Sequence, residues 1–313
     1  MSSLLVTGGA GFIGSHLVKK LLDEGHSVRV LDDLSSGYLE NIEGLQVDFI
    51  QGDICDQDLL RDAVQGMDLI FHLAAMVSVP GSMSDPQRCY MVNVDGTLNL
   101  LLNAREAGVQ RVVLSSSAAV YGESEDPVDE FAHNEPQSPY ASSKLAAEEM
   151  AEMFTRAYGF PTVSLRYFNV YGPRQRPDSP YAAAIPIFIK ALLEGRSPTI
   201  YGDGLQTRDF VYVEDIVGAN MLAAESENAV GGRFNIAGHG SITINELVDT
   251  LRGMIPGSPA PIYAPPRPGD IRQSAAVQYA AQQALGYRPE IVLERGLQLT
   301  VQWFGSKRAV TSI

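Results

Sequence analysis

The chain has 313 residues, of which 45% are hydrophobic, and a formal net charge of −14. This length and apolar content predict one large α/β domain with a smaller companion. The strong acidity makes nucleic acid and membrane surfaces poor partners, and any anionic substrate would need a locally basic pocket.

Strand and helix patterns alternate through the first half of the chain. Apolar strands separated by helices predict a parallel sheet covered on both faces, and right-handed crossovers make it doubly wound. The predicted strands are Leu4–Gly8, Ser27–Asp33, Val47–Asp53, Leu69–Ala75, Arg111–Ser117 and Thr162–Asn169. The predicted helices are Phe12–Glu24, Asp56–Gln65, Asp85–Ala107 and Pro139–Tyr158.

Prolines interrupt the chain after Val170, and the pattern changes there. Helical periodicity returns at Ala183–Glu194, Val213–Ala224 and Asn245–Met254. We assign residues 1–169 to the doubly wound domain, with part of 208–238 returning to its sheet. Residues 170–313 are assigned mainly to a smaller domain.

The two cysteines, Cys55 and Cys89, belong to no CxxC motif or Cys/His cluster, and the histidines lack metal-ligand spacing. We therefore expect no metal site and no disulfide framework. The N-terminus lacks the layout of a signal peptide, and no apolar run reaches the length of a membrane span. These features predict a protein of the reducing cytoplasm.

Glycines recur between the first predicted strand and the first predicted helix, in Thr7–Gly14. Gly8 permits a tight turn, Gly11 allows backbone to approach a pyrophosphate, and Gly14 allows close helix–strand packing. The N-terminus of the helix then offers free N–H groups to the phosphates. This arrangement is typical of a Rossmann-type dinucleotide site.

An acidic residue, Asp32, ends the second predicted strand. Its carboxylate is placed to accept hydrogen bonds from the adenosine ribose and would repel a 2′-phosphate, which favours NAD over NADP. Asp53 and Ile54 end the third predicted strand and are expected to flank the adenine.

A tyrosine and a lysine, Tyr140 and Lys144, lie four residues apart and therefore on one face of a helix. A free tyrosine has a pKa of about 10, but a nearby ammonium and the positive nicotinamide of NAD⁺ would lower it. The pair is thus a candidate general base beside a hydride acceptor. Ser117 would reach the same carboxyl edge of the sheet.

Seven segments, spread over nearly the whole chain, carry a resemblance to a known family. They are TGGAGFIG at 7–14, HLAA at 72–75, SSSAAVYG at 115–122, SPYASSK at 138–144, RYFNVYGPRQ at 166–175, YGDGLQTRDFVYVEDI at 201–216 and RPGD at 267–270. Together they resemble the extended short-chain dehydrogenase/reductases, and within them the UDP-glucose and UDP-N-acetylglucosamine 4-epimerases.

The resemblance implies an NAD-dependent UDP-hexose 4-epimerase that works through a 4-keto intermediate. It would interconvert UDP-glucose and UDP-galactose, and also the two UDP-N-acetylhexosamines. Tyr140, helped by Ser117, would take the proton of the sugar 4-hydroxyl, and Lys144 would also bind the nicotinamide ribose. NAD would stay bound, because each turnover regenerates it.

The resemblance also implies two sets of contacts. The cofactor would be contacted by Gly8, Gly11, Phe12, Ile13, Gly14, Asp32, Asp33, Ser35, Ser36, Asp53, Ile54, Leu73, Ala74, Ala75, Asn93, Ser115, Tyr140, Lys144 and Tyr167. The UDP-sugar, held mainly by the smaller domain, would be contacted by Ser78, Ser117, Tyr140, Asn169, Tyr201, Arg208, Arg267, Asp270 and Ser274. Arg208 and Arg267 match diphosphate-binding arginines and would supply the basic pocket.

Two small residues, Ala118 and Ala119, stand where sugar-nucleotide dehydratases of the family carry an acid pair and where decarboxylases carry a glutamate. Their presence favours epimerisation. Ser274 occupies a position that gates the space near C2 of the sugar, and its small size leaves room for an N-acetyl group.

Two alternatives remain open. Arg176 would suit the carboxylate of a UDP-glucuronate 4-epimerase, although those enzymes tend to have threonine where this chain has Asn169. A silent dinucleotide-binding regulator is less favoured, because such proteins usually lose the tyrosine or the lysine.

Family members typically form dimers through helices that match Asp85–Ala107 and Pro139–Tyr158, which predicts a homodimer with a four-helix bundle.

Overall fold

The computed structural model describes residues 1–178, 183–266 and 271–311. The strands are β1 (Ser3–Thr7), β2 (Ser27–Asp32), β3 (Asp48–Gln51), β4 (Leu69–His72), β5 (Arg111–Ser117), β6 (Thr162–Tyr167), β7 (Asn169–Tyr171), β8 (Thr199–Tyr201), β9 (Thr207–Tyr212), β10 (Arg233–Ile236), β11 (Ser241–Thr243) and β12 (Ile262–Ala264). The helices are α1 (Phe12–Asp23), α2 (Gln57–Ala63), α3 (Val79–Ser84), α4 (Pro86–Tyr90), α5 (Gly96–Glu106), α6 (Pro139–Tyr158), α7 (Ala184–Leu193), α8 (Val213–Glu225), α9 (Ile244–Met254), α10 (Tyr279–Leu285) and α11 (Leu293–Thr311).

A seven-stranded sheet with the order β10-β6-β5-β4-β1-β2-β3 forms the centre of the molecule. Every neighbouring pair in it is parallel. The strand order reverses at β1, which lies between β2 and β4, and ligands bind in such folds at the carboxyl ends beside this point. The predicted Rossmann-type fold is therefore confirmed.

Apolar side chains on both faces explain why the sheet lies between two helical layers. Along β1, Val6 packs into a cluster with residues of α1 and α8, whereas Leu5 packs into a second cluster with residues of α2, α5 and α6. Successive side chains of a strand point to opposite faces, so both layers cover the same strand. A third cluster, with Ile189 of α7 and Leu247 of α9 in it, forms the core of the C-terminal part.

Several element boundaries differ from those predicted. The predicted strand Thr162–Asn169 ends at Tyr167, and Asn169 instead begins β7, which pairs with β9 in a separate three-stranded sheet. The predicted helix Asp85–Ala107 is interrupted at Met91–Asp95 by a wider π-helical turn. The sequence analysis also missed α3 and the two small sheets, whose strands are mostly only three residues long.

Candidate active site

The glycine-rich turn between β1 and α1 depends on close backbone contacts. Gly8 has a φ of +70°, and its N–H donates to the carbonyl oxygen of Leu31 at 2.8 Å. A Cβ on Gly14 would lie 2.1 Å from the Gly8 oxygen, so only glycine fits there. Gly11 is the N-cap of α1 and offers no capping side chain. The first N–H groups of α1 are thus left for an anion, as a pyrophosphate site requires.

Asp32 ties this turn to the loop that follows β2. Its carboxylate is buried and accepts hydrogen bonds from the N–H groups of Ala10 and Leu34, both at 2.9 Å. Burial raises the pKa of Asp32, and these bonds partly oppose the rise. In the same loop, Asp33 accepts bonds from the N–H and the hydroxyl of Ser35. The adjoining residues predicted to contact the cofactor, Asp32 to Ser36, therefore lie beside the glycine-rich turn.

Asp53 follows β3 and forms an ion pair that the sequence analysis missed. Its Oδ2 lies 2.7 Å from Nη2 of Arg88, and its Oδ1 accepts the N–H of Cys55 at 2.9 Å. Burial acts to raise the pKa of Asp53, but the bonds with Arg88 and Cys55 lower it overall. No sequence pattern indicates that Arg88 pairs with Asp53. The two residues are far apart in the chain, and α4 alone brings Arg88 to Asp53.

Asn93, in the π-helical turn, is buried among protein groups. Its side chain accepts the N–H of Met76 at 2.8 Å and donates to the hydroxyl of Ser143 at 2.9 Å. Asn93 thus connects Ser143 of α6 to Met76, which directly follows Leu73–Ala75. π-Helical turns are frequent at functional sites.

The three residues predicted to be catalytic come together at the carboxyl end of β5. Ser138 caps α6 by accepting the N–H of Ala141 at 3.1 Å, which places Tyr140 in the first turn. Tyr140 and Ser117 line the same cavity, and the Ser117 hydroxyl acts to lower the pKa of Tyr140. Lys144 Nζ donates to the carbonyl oxygen of Ser115 at 2.9 Å.

Two cavities adjoin this group and meet at Asn169. The smaller, about 300 Å³, is lined by Ser117, Tyr140 and Ser274, and by the rings of Tyr121 and Tyr167. The larger, about 630 Å³, is lined among others by Tyr201 and Arg208. Asn169 lines both, and its amide donates to the oxygen atoms of Asp209 at 2.9 Å and Ser274 at 3.3 Å.

The remaining predicted substrate residues are placed differently. Ser78 caps α3 by accepting the N–H of Gly81 at 2.9 Å, while its neighbours Val77 and Val79 line the smaller cavity. Arg267 and Asp270 lie outside the described residues. The sequence analysis missed further lining residues of the larger cavity, such as Phe188, Arg196 and Gln206.

The model of the NAD dependent epimerase/dehydratase family matches residues 4–237, which is more than half of the chain. The chain belongs to this family. The predicted family is thereby confirmed, and NAD is the cofactor. The uncapped start of α1 and the buried Asp32 beside it fit that group.

Similar proteins match nearly the whole length of the chain. A UDP-glucose 4-epimerase of Mycolicibacterium smegmatis is 41% identical and is aligned over 97% of this chain and 98% of its own length. The crystal structure of a Thermotoga maritima UDP-glucose 4-epimerase with UDP-glucose has a TM-score of 0.94 at 40% identity, covering 98% of this chain and 99% of that one. A UDP-N-acetylglucosamine 4-epimerase of Methanobrevibacter ruminantium, in complex with UDP-N-acetylmuramic acid, has a TM-score of 0.93 at 42% identity, with the same coverage.

Within the described ranges, no helix combines the length and the apolar character needed to cross a membrane. The same residues contain no group of three or more His, Cys, Asp or Glu side chains arranged to hold a metal ion.

Burial dominates the electrostatics of the catalytic group. It raises the pKa of Tyr140, and the neighbouring Ser117 hydroxyl only partly opposes this. Burial also lowers the pKa of Lys144 to about 8, against the attraction of Glu148. In the cofactor-free protein the net pKa shift of Tyr140 is therefore upward, because desolvation favours the neutral form of both side chains. The lowering expected from the Lys144 ammonium and the positive nicotinamide together stays a prediction for the enzyme with NAD bound.

Lys144 should make the stability of the cofactor-free protein depend on pH. Above about pH 8 the folded protein loses this proton, whereas the unfolded chain keeps it until its ordinary pKa of 10.5. The unfolded state then binds more protons, so this group raises the free energy of unfolding with pH, by up to about 1.4 kcal/mol per unit. Urea unfolding between about pH 7.5 and about 9.5 should show the wild type gaining stability relative to Lys144→Met.

The exposed Lys19 of α1 provides a matched control for this measurement. The difference in stability between the wild type and Lys19→Met should stay constant over the same range. A constant difference for Lys144→Met as well would contradict the buried, depressed lysine.

Proposed function

We propose that this enzyme is a UDP-hexose 4-epimerase that interconverts UDP-glucose and UDP-galactose, and also UDP-N-acetylglucosamine and UDP-N-acetylgalactosamine. The observation that carries the proposal is the placement of the Ser117–Tyr140 pair in the wall of the smaller cavity, which meets the larger cavity at Asn169. A sugar in the smaller cavity would then be joined through its diphosphate to a nucleotide in the larger one.

The larger cavity has the chemistry that a nucleoside diphosphate needs. Arg208 supplies a forked cation suited to phosphate oxygens, and Tyr201 supplies an aromatic ring. In this proposal residues 1–169 hold the cofactor, with part of 208–238 in their sheet, and residues 170–313 mainly hold the UDP-sugar. Arg267 and Asp270 are retained as proposed contacts of the nucleotide.

The proposed mechanism uses the three residues around β5 and α6. NAD held at the glycine-rich turn would supply a reversible acceptor for the hydride on C4 of the sugar. Tyr140 would take the proton from the sugar 4-hydroxyl, and the neighbouring Ser117 hydroxyl would stabilise the phenolate. Lys144 would contribute positive charge near the bound cofactor. After the 4-keto sugar has turned over within the cavity, the hydride would return to the opposite face of C4, and Tyr140 would return the proton to the 4-oxygen.

Alanines in the cavity wall support epimerisation over elimination. Ala118 and Ala119 both line the smaller cavity, at the positions where an acid would have to protonate departing water. Without a proton donor there, oxidation and reduction at the same carbon remain the favoured outcome.

The wall of the smaller cavity offers little to a uronic acid. Among the described residues that line it, Asp126 alone has a charged side chain, and its charge would repel a carboxylate. Arg176, the residue that suggested glucuronate, stacks over the ring of Tyr38 with its guanidinium 4.0 Å from the ring centre. For both reasons we rank UDP-glucuronate below the neutral sugars as a substrate. The presence of Ser117, Tyr140 and Lys144 disfavours a silent regulator.

Proton NMR of the anomeric signals tests the proposal without added NAD. UDP-galactose and UDP-N-acetylgalactosamine should convert to their gluco epimers, and UDP-glucuronate should react much more slowly. Tyr140→Phe should keep its cofactor but lose at least about 100-fold in kcat, because it lacks the general base. Conversion of none of the substrates, with or without NAD, would refute the proposed reaction.

Tyr158→Phe is the matched control, because Tyr158 lies on the same helix with 54% of its surface exposed. It should turn over at the wild-type rate. Equal rates for Tyr140→Phe and the wild type would refute the role of Tyr140.

Ser274→Tyr should separate the two classes of sugar. A bulky ring at this point of the smaller cavity would overlap an N-acetyl group, so kcat/KM for UDP-N-acetylgalactosamine should fall roughly 10- to 100-fold further than that for UDP-galactose. Ser274→Ala, which removes one of the two bonds of the Asn169 amide without filling space, should keep both activities. An equal loss for both substrates in Ser274→Tyr would remove the gating role.

We also propose a cytoplasmic homodimer, formed through the α4–α5 region and α6 in a four-helix bundle. Exposed apolar side chains on these helices, and on the turn between α4 and α5, support this proposal. They are Tyr90, Met91, Leu102 and Tyr158. Sedimentation at micromolar concentration should give a dimer, and Leu102→Glu should shift it toward monomer. A monomer in the wild type would contradict the proposal.

Cys55 and Cys89 are both free thiols, as suits a reducing compartment.

A further inference from the structure

Three successive serines at the end of β5 face three successive turns of α6. The Ser115 carbonyl accepts from Lys144 at 2.9 Å, the Ser116 hydroxyl donates to Glu148 at 2.5 Å, and Ser117 lines one cavity together with Tyr140. Tyr140, Lys144 and Glu148 are spaced by four residues and so share one face of the helix. Glu148 is the member of this set that the mechanism does not use.

Glu148 is fixed by a buried arginine. Oε1 of Glu148 accepts from Arg166 Nε at 2.9 Å, and its Oε2 accepts from Arg166 Nη2 at 2.6 Å. The two side chains are only 2% and 0% exposed, respectively. A forked, charge-assisted pair of this kind has one defined geometry. The helix is therefore held to both β5, through Ser116, and β6, through Arg166.

The same arginine reaches the wall of the smaller cavity. Its guanidinium carbon lies 4.6 Å from the centre of the Tyr121 ring. The Tyr121 hydroxyl donates to Asn235 of β10 at 2.6 Å, and Tyr121 lines the cavity beside Ser117. Arg166 thus links the position of α6 to the position of the cavity wall.

We propose that Glu148, held by Arg166, is a positioning residue for the reaction: by binding Ser116 it fixes α6 against β5 at the register that brings Tyr140 to Ser117. This inference rests on the proposed function, because it concerns the same catalytic pair. Neither Glu148 nor Arg166 touches the cavity where the sugar would react. They act through Ser116, Ser117 and Tyr140.

Ser116→Ala is the sharpest test, because it removes the hydroxyl between β5 and Glu148 and leaves the ion pair whole. We expect a folded protein whose kcat falls roughly 10- to 100-fold, the size of effect that a small misplacement of reacting groups produces. KM for UDP-galactose should be unchanged, because the larger cavity is untouched. The second readout is the titration of Tyr140, followed as the near-ultraviolet difference between each protein and its Tyr140→Phe counterpart. It should move to higher pH, because the Ser117 hydroxyl would then lower the pKa of Tyr140 less.

A second variant removes the pair itself. Glu148→Gln alone would leave a buried guanidinium without its counter-ion, which destabilises strongly, whereas joint replacement by apolar side chains avoids this. Glu148→Met with Arg166→Met should therefore fold and show the same loss of kcat and the same shifted titration.

Thr155→Val is the matched control. Thr155 also joins α6 to the start of β6, through a bond of 2.8 Å with Thr162, but it lies about four turns from Tyr140. It should leave kcat and the Tyr140 titration unchanged. Wild-type kcat and wild-type titration in Ser116→Ala would overturn the inference. A wild-type enzyme without epimerase activity would refute the proposed function instead, while the titration would still test the positioning.

Discussion

The parallel alignment of the central strands is the constraint on which every part of the site depends. Thr7 at the end of β1 is paired with Leu31 of β2 and with His72 of β4, and Ser117 ends β5 one strand further along. Because parallel strands end on the same side, the glycine-rich turn, Asp32 and the catalytic serine reach one edge without long connections. The site is thus assembled by sheet register, and the loops only complete it.

Burial at this edge has an electrostatic cost that the protein groups do not offset. Tyr140 and Lys144 are both pushed toward their neutral forms, although the proposed chemistry needs a phenolate beside an ammonium. A positively charged nicotinamide would favour the phenolate, and the attraction of Glu148 opposes the loss of the lysine proton. Competence for proton transfer is therefore expected to depend on the bound cofactor, which couples cofactor retention to catalysis.

Local patterns were sufficient to predict the fold class, the glycine-rich turn and the meeting of Ser117 with Tyr140, because each depends on short spacings at strand or helix ends. They did not reveal the pairs Asp53–Arg88 and Glu148–Arg166, since tertiary packing alone brings such side chains together. Local patterns also did not predict that β7 leaves the main sheet. Nothing in RYFNVY indicates that the strand is interrupted at Phe168. The upward pKa shift of Tyr140 in the cofactor-free protein was not predicted, because spacing on a helix carries no information about desolvation.

In the proposed function, small side chains in the cavity wall would decide the choice of reaction, because the scaffold is shared by the whole family. Alanine at 118 and 119 withholds an acid, and serine at 274 leaves space while accepting a bond from Asn169. Asn169 is the one residue common to both cavities among those that line them, so in the proposed function it would contact both the sugar and the nucleotide. β7 begins at this residue, immediately after the chain leaves the main sheet. The break that the sequence did not predict is therefore what carries the amide of Asn169 to the junction of the two cavities.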